Sequence, residues 1–282
     1  MNPPDRPQER PQERPRQPPA WKLPPGVSRG LWDYVHSESI ATDYDDYFAH
    51  NTLFDFDSQM LAEAFDEPGL VVDLGCGTGR ALTPLVEAGH RGLAVDLSLP
   101  MLKEVQQKAT DSNLPIECLQ ANLVELDTLA DASVDYAMCM FSTLGMIRGR
   151  ESRRKFLAHT HRILKPGGHF VLHVHNYWYN LRDPGGPWWL LKNLVTAPFQ
   201  KEVELGDKWF PYRGLPSMFL HVFRWTELAA DLRAAGFTIE KRVPLDATRR
   251  HALPWPWLFG PLRANGWIVV CRQSKLKRNS HG

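Results

Sequence analysis

Residues 70–80 read LVVDLGCGTGR. Leu70, Val71, Val72 and Leu74 form a short apolar run suited to a strand buried on both faces, and Gly75, Gly77 and Gly79 end it abruptly. The stretch therefore predicts a strand, a tight turn and then a helix. Glycine has no Cβ, so these positions accept positive φ and let a ligand lie against bare backbone. Unpaired N–H groups opening the following helix favour a carboxylate or another anion. A small ligand is expected at this turn.

A dinucleotide turn has G-x-G-x-x-G spacing, which leaves room for a pyrophosphate; counted from Gly75, its third glycine would fall on Arg80. The spacing here is G-x-G-x-G. Seventeen residues after Gly79, the apolar run Gly92 to Val95 ends in Asp96, a carboxylate able to accept both hydroxyl hydrogens of a ribose. A nucleoside without a pyrophosphate fits this pattern best. Together, Asp73, Gly75, Gly77, Gly79 and Asp96 resemble the class I S-adenosylmethionine-dependent methyltransferases, which carry an acidic-x-G-x-G-x-G turn and an acidic residue ending strand two. The resemblance spans roughly residues 60 to 272. It implies S-adenosylmethionine as cofactor, with contacts from Asp73, Gly75, Cys76, Gly77, Thr78, Gly79, Asp96, Leu97, Met101, Asn122, Leu123, Met140 and Phe141. The family usually has an acidic residue near Asn122, where it meets the adenine amino group; the Asn122 carbonyl can still accept that hydrogen bond. Met101 is read either as an adenine contact or as a core methionine. The D/N-P-P-aromatic ending of strand four, which marks enzymes acting on base amino groups, is absent: the chain reads Phe141-Ser142-Thr143-Leu144 there.

In 282 residues with a formal net charge of +1, nothing suggests the positive field of a non-specific nucleic-acid binder. One domain with embellishments is enough for this length. Cys76, Cys118, Cys139 and Cys271 sit in the glycine turn or in apolar runs, which reads as reduced thiols and a cytoplasmic setting. No apolar stretch approaches the ~20 residues of a membrane span.

Residues 1–26 hold nine of the 23 prolines and a PQER repeat, the composition of a disordered tail. Residues 27–66 alternate aromatic and acidic groups, among them Trp32, Tyr34, Tyr44, Tyr47, Phe54 and Phe56, at helical spacing. They predict a helical cap whose aromatics either lie over the cofactor or pack helices onto the sheet. From 67 to 272 the alternation of strands and helices predicts an α/β, doubly wound, seven-stranded and mostly parallel sheet of Rossmann-like methyltransferase type. The expected elements include helices at 81–88, after Ser98 and at 151–164, with Lys165-Pro166-Gly167-Gly168 stopping the last of these. Strand five is expected at 169–175, a final helix capped by Thr226, and strands six and seven at 238–243 and 267–272, the seventh antiparallel in this family. Residues 273–282 form a basic tail.

Residues 176–222 interrupt this plan between strand five and the last helix, far exceeding a connection of two to six residues. They carry Tyr177, Trp178, Tyr179, Trp188, Trp189, Trp209, Phe210 and Tyr212, and a second aromatic stretch, LPWPWLFGPL, occupies 253–262. Three readings stay open: a lid over the acceptor, an aromatic mini-core, or peripheral contact with a membrane. For catalysis, His175 at the open end of strand five and His221 before the last helix are candidate bases, each also readable as a hydrogen-bonded structural histidine. His173 and His175 have i, i+2 spacing, but no third ligand is fixed, so no metal site is expected. The function implied is methyl transfer to a small, apolar or aromatic acceptor, with orientation as the main catalytic device and Tyr44, Tyr47 or Phe141 facing the sulfonium. Methylation of a protein or peptide, or a non-catalytic partner subunit of the same fold, are the alternatives. Oligomeric state is not legible.

Overall fold

The computed structural model describes residues 19, 22–38, 40, 53–200 and 202–274. Its centre is the strand read from the opening stretch, β1 (Leu70–Leu74), which pairs in parallel with β2 (Arg91–Asp96) on one side and β4 (Val134–Cys139) on the other. With β3 (Ile116–Gln120), β5 (Leu164–His175), β8 (Phe237–Pro244) and β9 (Gly266–Gln273) the sheet has seven strands in the order β3-β2-β1-β4-β5-β9-β8. Only β9 runs against its neighbours, antiparallel to both β5 and β8. β6 (Asp207–Tyr212) and β7 (Leu215–His221) form a separate hairpin.

The period-two alternation of strands divides one apolar run between two cores. In β1, Val72 and Leu74 join one cluster and Val71 the other; in β9, Trp267, Val269 and Cys271 face the first and Ile268 and Val270 the second. Beyond the one-turn α5 (Thr143–Met146), helix α6 (Arg150–Ile163) covers the first face with Phe156 and Leu157, and α8 (Trp225–Ala234) with Leu228 and Leu232. The second face is covered by α2 (Leu53–Ala64), α3 (Leu82–Glu87) and α4 (Leu99–Asp111). Burial on both faces is why the central strands β1 and β4 are mostly apolar, whereas the edge strands β3 and β8 carry Glu117, Glu240, Lys241 and Arg242. In α4 the Ser98 hydroxyl accepts from the Met101 N–H as cap, and Met101, Leu102, Val105 and Ala109 are buried on one side.

Several sequence expectations shift. Lys165 to Gly168 do not separate helix from strand; β5 begins at Leu164, and its pairing with β4 slips between Val134 and Tyr136 to absorb the extra residues. The cap of α8 is the backbone of Arg224 and not Thr226, with no side-chain bond to it. Residues 24–26, read as the end of a disordered tail, are packed: Pro25 O accepts from Asn122 Nδ2 at 3.0 Å and Gly26 O from Arg148 N at 2.8 Å. Most of the remaining tail, the residues from 275 onward, Tyr44 and Tyr47 lie outside the described residues.

The insertion is a compact annex with a stitched neck. Asn176 bridges Phe223, the Phe223 N–H donates to His175 O, and the Tyr177 N–H donates to Phe223 O, both at 2.8 Å. Between these ends lie a 3-10 helix (Tyr177–Arg182), α7 (Gly186–Thr196) and the β6–β7 hairpin.

Candidate functional site

The glycine turn leaves β1 and crosses the carboxyl end of β2. Gly75 and Cys76 donate their N–H groups to Val95 O at 2.8 and 3.1 Å, so the turn is pinned over the neighbouring strand before α3 begins. At Gly77 φ is +52°, and a Cβ built there would meet nothing within 4 Å: the position is bare because space lies in front of it. Asp96 holds the arrangement from below. One carboxylate oxygen accepts from Gly77 N and the other from Ser98 N, both at 2.8 Å, linking the turn to the start of α4.

Above this floor is a cleft whose walls are mostly apolar. Asp73, Gly75, Cys76, Gly77, Asp96, Leu97, Met101, Asn122, Leu123, Met140 and Phe141 all line it; Thr78 and Gly79 do not. Thr78 is buried and gives its carbonyl to Lys108 Nζ at 2.9 Å, so these two residues brace the turn on α4 from behind. Met101 both lines the cleft and packs against Ile40, which makes its two readings compatible. The Asn122 carbonyl already accepts from Val124 N at 3.1 Å, while its amide ties down Pro25.

The roof is α1 (Arg29–Val35), which starts at the cap Ser28 and turns Leu31, Tyr34 and Val35 toward the cleft. Its far end is held by Ser98 Oγ, which donates to Val35 O at 2.7 Å. Its outer side rests on the insertion: Gly30 sits so close to β7 that an added Cβ would lie 2.0 Å from Ser217 O. Among the described residues, none of 176–222 lines the cleft itself. The insertion reaches the site by holding the roof. The helical spacing of Leu31, Tyr34 and Val35 was the available signal for the roof; nothing in the run Pro24-Pro25-Gly26 announced that it would be fixed.

The electrostatics of the floor are unusual. Burial, reinforced by the neighbouring Asp96, pushes the Asp73 carboxyl up to about 8. Burial raises Asp96 as well, against the pull of the Ser98, Gly77 and Leu97 N–H groups. Two desolvated acids side by side are relieved by a ligand that brings hydroxyls and positive charge, and a pyrophosphate brings neither.

Phe141 and Ser142 both adopt left-handed backbone, φ +54° and +61°, at the end of β4. Such strain in a bulky residue marks a place where the surroundings impose the conformation. The Phe141 ring carries the Arg249 guanidinium at 5.1 Å. Beside it lies a buried polar group that sequence reading missed: Arg249 Nη2 is 3.4 Å from His173 Nδ1, and burial raises Asp57 to about 6 while Arg249 draws it down.

The two candidate bases are placed differently from the expectation. His175 ends β5, but it does not line the cleft, and burial with the Arg249 charge lowers it to about 3, far from the range in which a general base works best at neutral pH. Its ring stands edge-on to His173 at 5.1 Å. His221 is fully buried and has both ring nitrogens engaged, Nδ1 with Asp207 Oδ1 at 2.7 Å and Nε2 with Glu227 Oε1 at 3.0 Å. A proton acceptor needs a free nitrogen in reach of the ligand, and His221 offers neither. Glu204, His221 and Glu227 come together closely enough to hold a metal, yet the Arg153 guanidinium is hydrogen-bonded to Glu204 and occupies the cation's place.

Residues 71–168 match the family model for a methyltransferase domain. YqeM of Bacillus subtilis, named as a methyltransferase, is 30% identical over 139 residues, covering 49% of this chain and 55% of that protein. The chain spans about half the length of the curated relatives it matches. Among solved structures, an S-adenosylmethionine-dependent methyltransferase of Methanosarcina mazei superposes with a TM-score of 0.62 at 19% identity, covering 77% of this chain and 98% of that one. The Burkholderia thailandensis 1,6-didemethyltoxoflavin-N1-methyltransferase, solved with 1,6-didemethyltoxoflavin and S-adenosylhomocysteine bound, gives 0.57 at 22% identity, covering 84% of this chain and 85% of the other.

Proposed function

We propose, for a chain that belongs to the class I S-adenosylmethionine-dependent methyltransferases, that it methylates a small, apolar or aromatic acceptor by in-line displacement. The observation that carries this reading is the pair Asp73 and Asp96 at the floor of a mostly apolar, roofed cleft. S-adenosylmethionine, when bound, supplies an electrophilic methyl group on a sulfonium. Asp96 uses one lone pair of each oxygen on backbone N–H groups and keeps others for ribose hydroxyls. Leu97, Met101, Leu123 and the roof residue Val35 offer apolar surface to a purine, and bare Gly77 leaves space beside the turn.

Catalysis then rests on placement. An acceptor atom must come within about 3–3.5 Å of the reacting carbon in line with the bond that breaks, and excluding water strengthens each orienting contact. Met140, Phe141 and Met146 give the cleft an apolar wall at the end of β4, and α1 closes it above. This wall favours an apolar or aromatic acceptor. Calorimetry should find S-adenosylmethionine and S-adenosylhomocysteine binding in the micromolar range and NAD not binding. Transfer of a labelled methyl group to small aromatic acceptors, with none to peptides or to nucleic acid, is the matching outcome for activity; peptide labelling would replace the acceptor class.

Asp73 gives this reading a pH signature. Below about 8 the free protein keeps its proton. A cationic ligand favours the ionised form, so binding at pH 7 releases a proton and affinity rises with pH toward 8. The slope should be steeper for the sulfonium cofactor than for S-adenosylhomocysteine, and Asp73→Asn should flatten it. Raised from 3.8 when folded, the same carboxyl withdraws stability as pH climbs from about 4 to 8, so Asp73→Asn should also melt higher than wild type at pH 7. Calorimetry in buffers of different ionisation enthalpy, with thermal melts of both proteins, checks both.

A further inference from the structure

We infer that the outer face of the insertion, together with the 254–262 loop, docks on an anionic lipid surface. The inference is independent of the methyl-transfer reading. Helix α7 buries Leu190 and Asn193 toward the annex and turns Trp188, Leu191 and Val195 outward, at 71%, 52% and 56% exposure; Phe199, one further turn on, is 86% exposed. The spacing i, i+3, i+7 of Trp188, Leu191 and Val195 makes one apolar stripe that faces solvent, the reverse of a surface helix in a water-soluble protein, and Phe199 follows it on the 3-10 turn Ala197–Phe199. The 254–262 loop adds Trp255, Trp257 and Phe259, each at least 66% exposed.

This loop is constructed, not slack. Trp255 and Phe259 both take left-handed backbone, φ +48° and +51°. One guanidinium fixes them: Arg263 donates to the carbonyls of Pro254, Trp255 and Leu258 at 2.9–3.2 Å. Backbone strain and a three-carbonyl clamp are being used to hold large aromatic rings in water. The two apolar regions flank the same 3-10 helix, whose Trp178 and Leu181 are also exposed. The Tyr177 hydroxyl reaches Leu190 O on one side, and Asn176 Nδ2 reaches Pro261 O and Ala264 O on the other.

Charge selects the occupant. The sequence has no Asp or Glu in residues 184–200 and none from 247 to its end, although acids and bases balance almost evenly over the chain at 32 and 33. The cations Arg182, Lys192 and Arg250 are exposed around the apolar stripe and loop. The acids at the margin are engaged, Asp183 with Lys208 and Glu202 with Arg148. Tryptophan with basic side chains is the composition that settles at the boundary of headgroups and acyl chains in an anionic leaflet. A second copy mated through the same face would set these cations against each other. Among the described residues no helix is long and apolar enough to cross a membrane, so contact would be lateral.

The test is sedimentation of the full chain with vesicles of equal parts phosphatidylglycerol and phosphatidylcholine, and separately with phosphatidylcholine alone. Binding is expected to the anionic vesicles, at least tenfold weaker to the neutral ones, and weakened by salt. The double variant Trp188→Ser/Trp257→Ser should lose at least tenfold in binding while its thermal midpoint and its affinity for S-adenosylhomocysteine stay unchanged. Equal binding to both vesicle types, no binding to either, or retention by the double variant would overturn the proposal. So would a wild-type dimer in sedimentation velocity that the same two substitutions dissolve, since the face would then be a protein interface.

Discussion

Asp96→Ala is expected to lower affinity for S-adenosylhomocysteine by about a hundredfold or more. The wild-type carboxylate accepts from Gly77 N and Ser98 N at 2.8 Å, and so fixes both the bare face of the glycine turn and the first turn of α4. Ribose hydroxyls would add charged hydrogen bonds to the same oxygens. Each bond to a charged group is worth about 1.5–3 kcal/mol, and two of them make roughly 3–6 kcal/mol, or a factor of about 10² to 10⁴. Asp96→Ala also leaves the Gly77 and Ser98 N–H groups without their acceptor, so binding is measured on protein whose thermal melt shows it folded. Calorimetry with the folded variant decides. A loss under threefold would mean that Asp96 only shapes the turn, and that the ribose is held elsewhere.

What the sequence disclosed follows from where the physics is local. A buried parallel strand must be apolar on both faces, so β1, β2, β4 and β9 announce themselves, and Gly75 to Gly79 mark the turn because few other residues adopt positive φ there. Ser98 was legible as a cap for the same reason: hydroxyl and N–H are three residues apart. The hidden features are those made by distant partners. Pro25 and Gly26 look like tail until Asn122 and Arg148 bind them, and Asp57 feels the charge of Arg249 across 192 residues of chain, with nothing in either neighbourhood to signal it. The insertion could be seen as aromatic but not as three different surfaces. Some of its rings pack inward, as Tyr177 does; its hairpin supports α1; and its outermost rings remain bare. The two histidines show the limit most directly, since a catalytic and a structural imidazole are the same letter until their partners are known.

His221→Ala is expected to cost about 3–5 kcal/mol of stability, the usual penalty for breaking a buried ion pair by removing one partner. The ring is 0% exposed and lies between Asp207, on β6, and Glu227, on α8. Without it two buried carboxylates lose their bridge, with Arg153 left to compensate through Glu204 and Glu227. For a domain of this size the thermal midpoint should fall by about 6–20 °C. The pH dependence identifies the cause. Burial alone would lower the histidine, but the hydrogen bonds to Asp207 and Glu227 overcome it and hold the ring above 6.5. A raised folded-state value gives stability that is complete below 6.5 and lost as pH rises through that higher value. Wild-type protein should therefore lose stability on the alkaline side, and His221→Ala should lack that decline. The same network explains why the whole annex cannot be trimmed cleanly: excising 176–222 would remove Glu204, Asp207 and His221 together and strand Arg153 and Glu227 in the core. If His221 were instead the catalytic base, folded His221→Ala would keep its melting temperature and lose turnover by a hundredfold or more. Melts from pH 6 to 10, run beside turnover per folded molecule, separate the two outcomes.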